Sequence, residues 1–306
     1  MNVSWRSLAW SAAAWLLLVA LATPLNFVTI LLTMTPFVVL YRMLSVKSFA
    51  AHVVAIGAAA FLASGGIGPI VVTLGFFFLV PSIAMGHIYK KGSPAKTAVL
   101  VGFVIVLAQL LLELALFSVM FDIDLKTELA SLLTDNLKEL ERAGGTELFK
   151  IGGAESIGRD MSEQVMNLLP MLLLFSSVMF TIVTHALSRQ ALKASGFETS
   201  ALPKVKTWKV PRSFVLYYVI ALIAVYSISN DAVGYWAIVA RNLEPILGFV
   251  FTLIAFGFFF FLADAKKWSK IVALLLCVPV LFFPQAYLLI GLLDTAFPLR
   301  KAFNKQ

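Results

Sequence analysis

Glu113 stands inside an apolar stretch, residues 97–120, and Gln109 precedes it by four residues. In a helix that separation puts both side chains on one face. An ionisable group within a membrane-length apolar run is costly, so the pair is a candidate for binding a cation or carrying a proton. The alternative is a hydrogen-bonded carboxyl that fixes helix packing. Asn230, Asp231, Arg241, Asn242 and Glu244 form a second polar group, in which Arg241 and Glu244 have the spacing of a helical ion pair. These residues can rim a pocket together with Glu113, or they can be solvated helix ends. Asp294 closes the last apolar run and can pair with Arg300. His185 sits at the end of another run, where an imidazole can hydrogen-bond or move protons.

Recognised catalytic patterns are missing from the sequence. It has no Ser-His-Asp arrangement, no His-Glu-x-x-His and no close carboxylate pair. Ser64-Gly-Gly-Ile-Gly68 lacks the Lys-Ser/Thr ending of a phosphate loop and reads as a hairpin. The single cysteine, Cys277, cannot form an internal disulfide, and His52, His87 and His185 show no zinc spacing. An enzyme is therefore not expected, nor is a metal or other cofactor.

Composition says what must position these residues. Of 306 residues 60% are hydrophobic and 13% charged, and mean hydropathy is +0.94. Soluble domains are roughly half apolar and about a quarter charged. The excess apolar surface needs lipid as its solvent. The net charge of +8 suits cytoplasmic loops better than nucleic acid, provided the cations cluster between apolar runs.

They do. Apolar runs occupy residues 8–22, 25–41, 48–64, 67–84, 97–120, 165–187, 213–229, 246–263 and 271–298. Arg42 and Lys47 share one connection. Lys90, Lys91 and Lys96 share the next basic one. The segment 188–212 carries Arg189, Lys193, Lys204, Lys206, Lys209 and Arg212, and a fourth cluster is Lys266, Lys267 and Lys270. The pattern predicts one all-α membrane domain over 1–306, a polytopic bundle of about eight or nine membrane segments in a bacterial plasma membrane, with these loops in the cytoplasm. Ala20-Leu21-Ala22 has the outline of a signal-peptidase site, but apolar sequence resumes at Leu25 and favours a membrane hairpin. Pro279 and Pro284 in the last run predict a broken helix or a re-entrant hairpin. Arg300 and Lys301 on the cytoplasmic side require it to double back.

Residues 122–163 form a polar insert with ten acidic and five basic residues, expected outside the membrane. Leu125, Leu129, Leu132, Leu133, Leu137 and Leu140 predict an amphipathic helix over the outer mouth, with Asp124 at its start and Gly144-Gly145 at its end. Ala51, Ala55 and Ala59 recur every four residues, a spacing that lets helix backbones approach closely, within this chain or against a partner. Lys204, Lys206, Trp208, Lys209 and Arg212 suit either anionic headgroups or a cytoplasmic protein.

Three short stretches carry a family likeness: Gly86-His-Ile-Tyr89-Lys90-Lys91-Gly92, Trp208-Lys209-Val-Pro211-Arg212-Ser213, and Leu289-Ile-Gly-Leu-Leu-Asp294 with Arg300-Lys301. With the order of the runs, they make the chain resemble the YybS-like family of bacterial multi-pass membrane proteins. That family is similar in architecture to the S-components of energy-coupling-factor vitamin transporters. The resemblance implies a transport-type component that binds a small molecule from the outer face and docks other subunits. The alternative is a non-catalytic envelope scaffold or regulatory partner that works through its cytoplasmic loops or its small-residue face. Expected partners are the lipid bilayer, other membrane or cytoplasmic subunits, and a small-molecule substrate.

Overall fold

The computed structural model describes residues 4–121, 124–142, 153–229, 232, 234–297 and 299–303. All regular structure among them is helical: α1 Trp5–Ala20, α2 Asn26–Leu32, α3 Met34–Met43, α4 Val46–Ala63, α5 Gly68–Lys90, α6 Ala95–Phe121, α7 Leu125–Arg142, α8 Gly153–Ala194, α9 Ser213–Ser227, α10 Tyr235–Ala265, α11 Lys270–Cys277, α12 Pro284–Ala296 and α13 Leu299–Phe303, with 3-10 turns between some of them.

By length and composition six helical segments can cross a membrane, or seven if α11 and α12 count as one bent span. The eight or nine segments read from the sequence are not reached on these criteria. The physical reason lies in α1 and α9, which are apolar but have only 16 and 15 residues. At about 1.5 Å per residue each is shorter than the roughly 30 Å hydrocarbon core.

The chain divides into two compact units. The first comprises residues 1–124 and 172–202. Its helices run back and forth, and their basic ends meet. Lys90 Nζ donates to Leu44 O at 2.6 Å, Arg6 Nη1 to Ser195 O at 2.9 Å, and Ser200 Oγ to Ser93 O at 3.1 Å. These contacts join the starts of α1 and α4 to the α5–α6 turn and to the segment after α8. Met34, Val38, Phe78, Met85, Val106 and Leu192 fill the core between them. Burial of such side chains contributes about 1.5–3 kcal/mol each in water. Within lipid, close packing takes over much of that role.

The second unit comprises residues 125–171 and 203–306. The leucine stripe of the polar insert does form a helix, α7, as expected. The insert is not a separate element after that, because α8 begins at Gly153 and runs unbroken into the apolar stretch. Helix α7 lies antiparallel to this polar start. Lys126 pairs with Glu163 at 3.1 Å, Lys138 pairs with Glu155 at 3.0 Å, and Ser162 Oγ donates to Lys126 O. The expected Gly144-Gly145 stop lies outside the described residues.

Pro170 should interrupt α8, since proline removes a backbone donor and crowds the preceding turn. The structure shows the repair. The Asn242 side chain of α10 enters the helical ladder: its Oδ1 accepts from Met171 N at 3.1 Å and its Nδ2 donates to Asn167 O at 2.6 Å. One amide thus satisfies both partners of the bond that would otherwise join residues 171 and 167.

Pro279 and Pro284 mark the break between α11 and α12, which bend by 120°. Tyr287 of α12 donates its hydroxyl to Leu276 O across the bend. Helix α12 returns along α10 so closely that a Cβ on Gly291 would lie 1.8 Å from Phe251 O. Beyond it, Arg300 Nη1 donates to Lys206 O at 2.6 Å, and Lys206 also pairs with Asp264 near the end of α10. The last apolar run therefore leaves from the Asp264 end of α10 and comes back to it.

Candidate functional site

At the basic end of the first unit lies a cleft of about 510 Å³, lined by Tyr89, Gly92, Ser93, Arg189, Lys193, Phe197, Glu198, Thr199 and Ser200. Two helix ends build its walls. Helix α5 closes at Gly92 with φ +67°, and Ser93 N returns to Ile88 O. Helix α8 closes at Gly196 with φ +85°, and Phe197 N returns to Leu192 O. Both glycines take the left-handed conformation that this kind of cap requires. The caps occupy carbonyls that would otherwise present negative ends to the cleft.

Several cations near the cleft are already engaged. Lys90 is spent on Leu44 O and lies 4.3 Å from the Tyr41 ring. The Arg42 guanidinium stacks 4.7 Å from the Phe197 ring, which holds the segment after α8 in place. Arg42 Nε nonetheless has no hydrogen-bond partner among the described residues, and Arg189 and Thr199 share that state. Arg189 Nε and Thr199 Oγ1 are shielded from solvent yet have no hydrogen-bond partner among the described residues. A shielded, unpaired polar group costs about 1–3 kcal/mol. Lys193, one turn beyond Arg189, is exposed. Glu198 forms an ion pair with neither of them among the described residues.

Behind the cleft the Tyr89 hydroxyl and His185 Nδ1 lie 2.6 Å apart, with Tyr89 2% and His185 3% exposed. The set contains hydrogen-bond donors suited to an anion and a pair able to pass a proton. Among the described residues no three His, Cys, Asp or Glu side chains converge as a metal would need.

The second unit has its own polar centre. Arg300 grips Asp294 through Nε at 2.8 Å and Nη2 at 2.6 Å, and both side chains are almost wholly buried. Lys206 pairs with Asp264 at 2.5 Å beside a cleft of about 450 Å³ that Lys204, Phe260 and Trp268 help to line. With Arg300 also bonded to Lys206 O, this network ties the basic segment 203–208 to the returning C-terminal helices.

The DUF2232 family, described as "Predicted membrane protein", matches residues 11–295. The chain belongs to this family. The DUF2232 chain is also 24% identical over 234 residues to the "Uncharacterized protein YybS" of Bacillus subtilis (strain 168), covering 74% of each protein. No solved structure matches it. The family match and the apolar helices place it in the cell membrane.

The site residues expected from the sequence of this DUF2232 protein are divided between the two units, Gln109 and Glu113 in the first and Arg241, Glu244 and Asp294 in the second. Gln109 Nε2 donates to Phe77 O at 3.0 Å, while Glu113 is exposed on the surface of α6. Both lie well along α6, away from the basic cleft at its start. Glu244 accepts from the Tyr218 hydroxyl at 3.0 Å, and Arg241 Nη2 donates to Ser229 O at 3.2 Å. Asp231 lies outside the described residues. Asp294 pairs with Arg300, and Glu244 is about 30 Å along α10 from the Asp264 end where that pair sits. Ala51, Ala55 and Ala59 are exposed and line a shallow groove with Leu8, Ala12 and Trp15 of α1. Trp208 Nε1 donates to Pro203 O, whereas Lys204, Lys209 and Arg212 are exposed.

The sequence reading passed over Tyr89, Arg189 and Thr199 as site residues. One signal was available: His185, Arg189 and Lys193 recur every four residues along one face.

Proposed function

We propose that this DUF2232 protein is a non-catalytic, transport-type membrane component that binds an anionic group, a phosphate or sulfate, in the cleft of its first unit. The unspent donors of Arg189 and Thr199 carry this reading. A guanidinium matches an oxyanion in geometry as well as charge, and hydrogen bonds to charged partners contribute about 1.5–3 kcal/mol. Helix α6 begins two residues after Ser93, so the positive end of its dipole adds to the field at the cleft. By the distribution of basic loops this end faces the cytoplasm. The likeness to S-components points instead to the outer face near Glu113, but the unpaired buried donors favour the basic end. The short helices α1 and α9 complete the expected eight or nine segments if local thinning of the bilayer accommodates them.

The same chemistry is offered by a soluble phosphorylated molecule and by an anionic lipid headgroup. In nanodiscs of phosphatidylcholine, the purified protein should bind sulfate and glycerol phosphate in calorimetry. In nanodiscs containing phosphatidylglycerol, the lipid source would appear as loss of that soluble binding and as retention of the lipid in native mass spectrometry. Arg189→Gln with Lys193→Gln should weaken either kind of binding tenfold or more, at about 1.4 kcal/mol per factor of ten. Lys47→Gln, outside the cleft, should leave it unchanged. Equal binding by the double variant and the native protein would remove the reading.

One observation favours the scaffold role as a second reading: Lys204, Lys209 and Arg212 present exposed cations on the 203–212 segment. Docking of a protein partner there should be lost when all three are neutralised.

A further inference from the structure

We infer that anion capture in the cleft is coupled to the uptake of one proton by His185 through Tyr89. This rests on the anion-binding reading above and adds to it an energetic link between ligand and proton.

Tyr89 belongs both to the cleft lining and to the buried pair with His185. Their 2.6 Å contact can form in three ways, because the neutral imidazole has two tautomers. With its hydrogen on Nδ1 the ring donates to the tyrosine without taking up a proton, so the coupling requires the hydrogen to rest on Nε2 in the empty cleft. When the imidazole is neutral with its hydrogen on Nε2, Nδ1 is an acceptor and the Tyr89 hydroxyl donates to it. The tyrosine then has only oxygen lone pairs to offer the cleft, which an anion avoids. When the ring is protonated, both nitrogens donate. Nδ1–H now points at the tyrosine oxygen, and the hydroxyl hydrogen can turn into the cleft as a further donor to the anion.

The transfer balances simply. A proton arriving through the cleft bonds to the Tyr89 oxygen as the original O–H bond breaks and that hydrogen passes to Nδ1. Tyrosine ends neutral, the imidazole gains one positive charge, and the bound anion offsets it.

Among the described residues no carboxylate pairs with the ring to hold such a charge without the anion. Arg189 and Lys193 follow His185 on α8. On α5, Lys90 is bonded to Leu44 O, and His87 and Lys91 are exposed. Arg42 of α3 lies over Phe197, Arg6 of α1 holds Ser195 O, and Lys96 at the start of α6 is exposed. Glu198 is the carboxylate of the cleft and lies in the segment after α8. On either side of His185 in the α8 sequence are Thr184 and Ser188, both wholly buried with hydroxyls that have no partner among the described residues.

Sulfate and dimethyl phosphate are the probes, since neither changes its own charge between about pH 5.5 and about pH 8, the window in which an imidazole ionises. With the native protein in phosphatidylcholine nanodiscs, the Kd for either probe should fall as pH falls, by up to about tenfold per pH unit where the coupling is steepest. Reciprocally, adding sulfate to weakly buffered protein should draw protons from solution, approaching one per site. His185→Gln should flatten the pH dependence and abolish the proton uptake. Tyr89→Phe, which keeps the ring in its packing and removes the relay oxygen, should flatten it as well. His87→Gln should keep the slope, which separates His185 from the neighbouring imidazole. A native Kd that is the same at both ends of the pH window, or a slope that survives both His185→Gln and Tyr89→Phe, would overturn the coupling while leaving the anion site standing. No binding of either probe at any pH would overturn both.

Discussion

Asp294→Ala is expected to destabilise the second unit by about 3–5 kcal/mol, the usual cost of stranding one partner of a buried ion pair. Arg300 would lose its three hydrogen bonds to the carboxylate and keep its bond to Lys206 O. Its guanidinium would remain buried between α10, α12 and the 203–208 segment, with the Phe261 ring 5.6 Å away. Arg300→Ala should act in the same direction by leaving Asp294 unpaired. The double change Asp294→Leu with Arg300→Met should recover much of the loss, because removing both charges also removes their desolvation cost. Reversible unfolding in mixed detergent micelles reads the difference, and protease sensitivity of the 203–208 segment reads the loosened tie. A loss below about 1 kcal/mol for the single variants would mean that water reaches the pair and screens it, as for surface ion pairs.

Asn242→Leu should cost about 2–6 kcal/mol, for a different reason. Its side chain satisfies Met171 N and Asn167 O, the two backbone groups separated by the Pro170 break. Leucine of similar size would leave both groups unpaired, at about 1–3 kcal/mol each, in surroundings where lipid offers no substitute. The informative background is Pro170→Ala. With alanine there, α8 can draw its own ladder together, so Asn242→Leu should cost clearly less in that background than in the native chain. This double-mutant cycle isolates the repair from any general packing loss at position 242. Equal costs in the two backgrounds would show that the amide stabilises α10 in some other way.

The two sites were unequally legible in the sequence. Asp294 and Arg300 lie six residues apart at the end of one apolar run, so their pairing could be proposed from order alone. The two prolines announced a break in the last run, as a broken helix or a re-entrant hairpin, and doubling back was required only if Arg300 and Lys301 lay on the cytoplasmic side. The stripe from Leu125 to Leu140 announced α7 through its period. Asn242 was different. Its partner proline lies 72 residues away, and nothing local distinguishes an amide that repairs a helix from one at a solvated helix end. The same long-range repair explains why α8 continues past its apolar stretch to Gly153.

The cleft was hidden for another reason. Arg189 and Lys193 look like any cations of a cytoplasmic loop, and positive-inside patterning accounts for them without a site. What sets Arg189 apart is that it lines the cleft between two glycine-capped helix ends together with Thr199, while its Nε has no partner among the described residues. Glu113 shows the converse. Its rarity within an apolar run drew attention, yet the structure leaves its side chain exposed on α6 and gives the neighbouring Gln109 a backbone partner on α5.

Locating an electron-dense anion tests the anion cleft most directly. The protein would be crystallised, or imaged in nanodiscs, with tungstate, and the tungsten found by its scattering. The expected result is a peak in the first-unit cleft, within bonding reach of Arg189 Nε and Thr199 Oγ1, that disappears in Arg189→Gln. Tungsten bound only elsewhere, or an empty cleft at saturating tungstate, would contradict it.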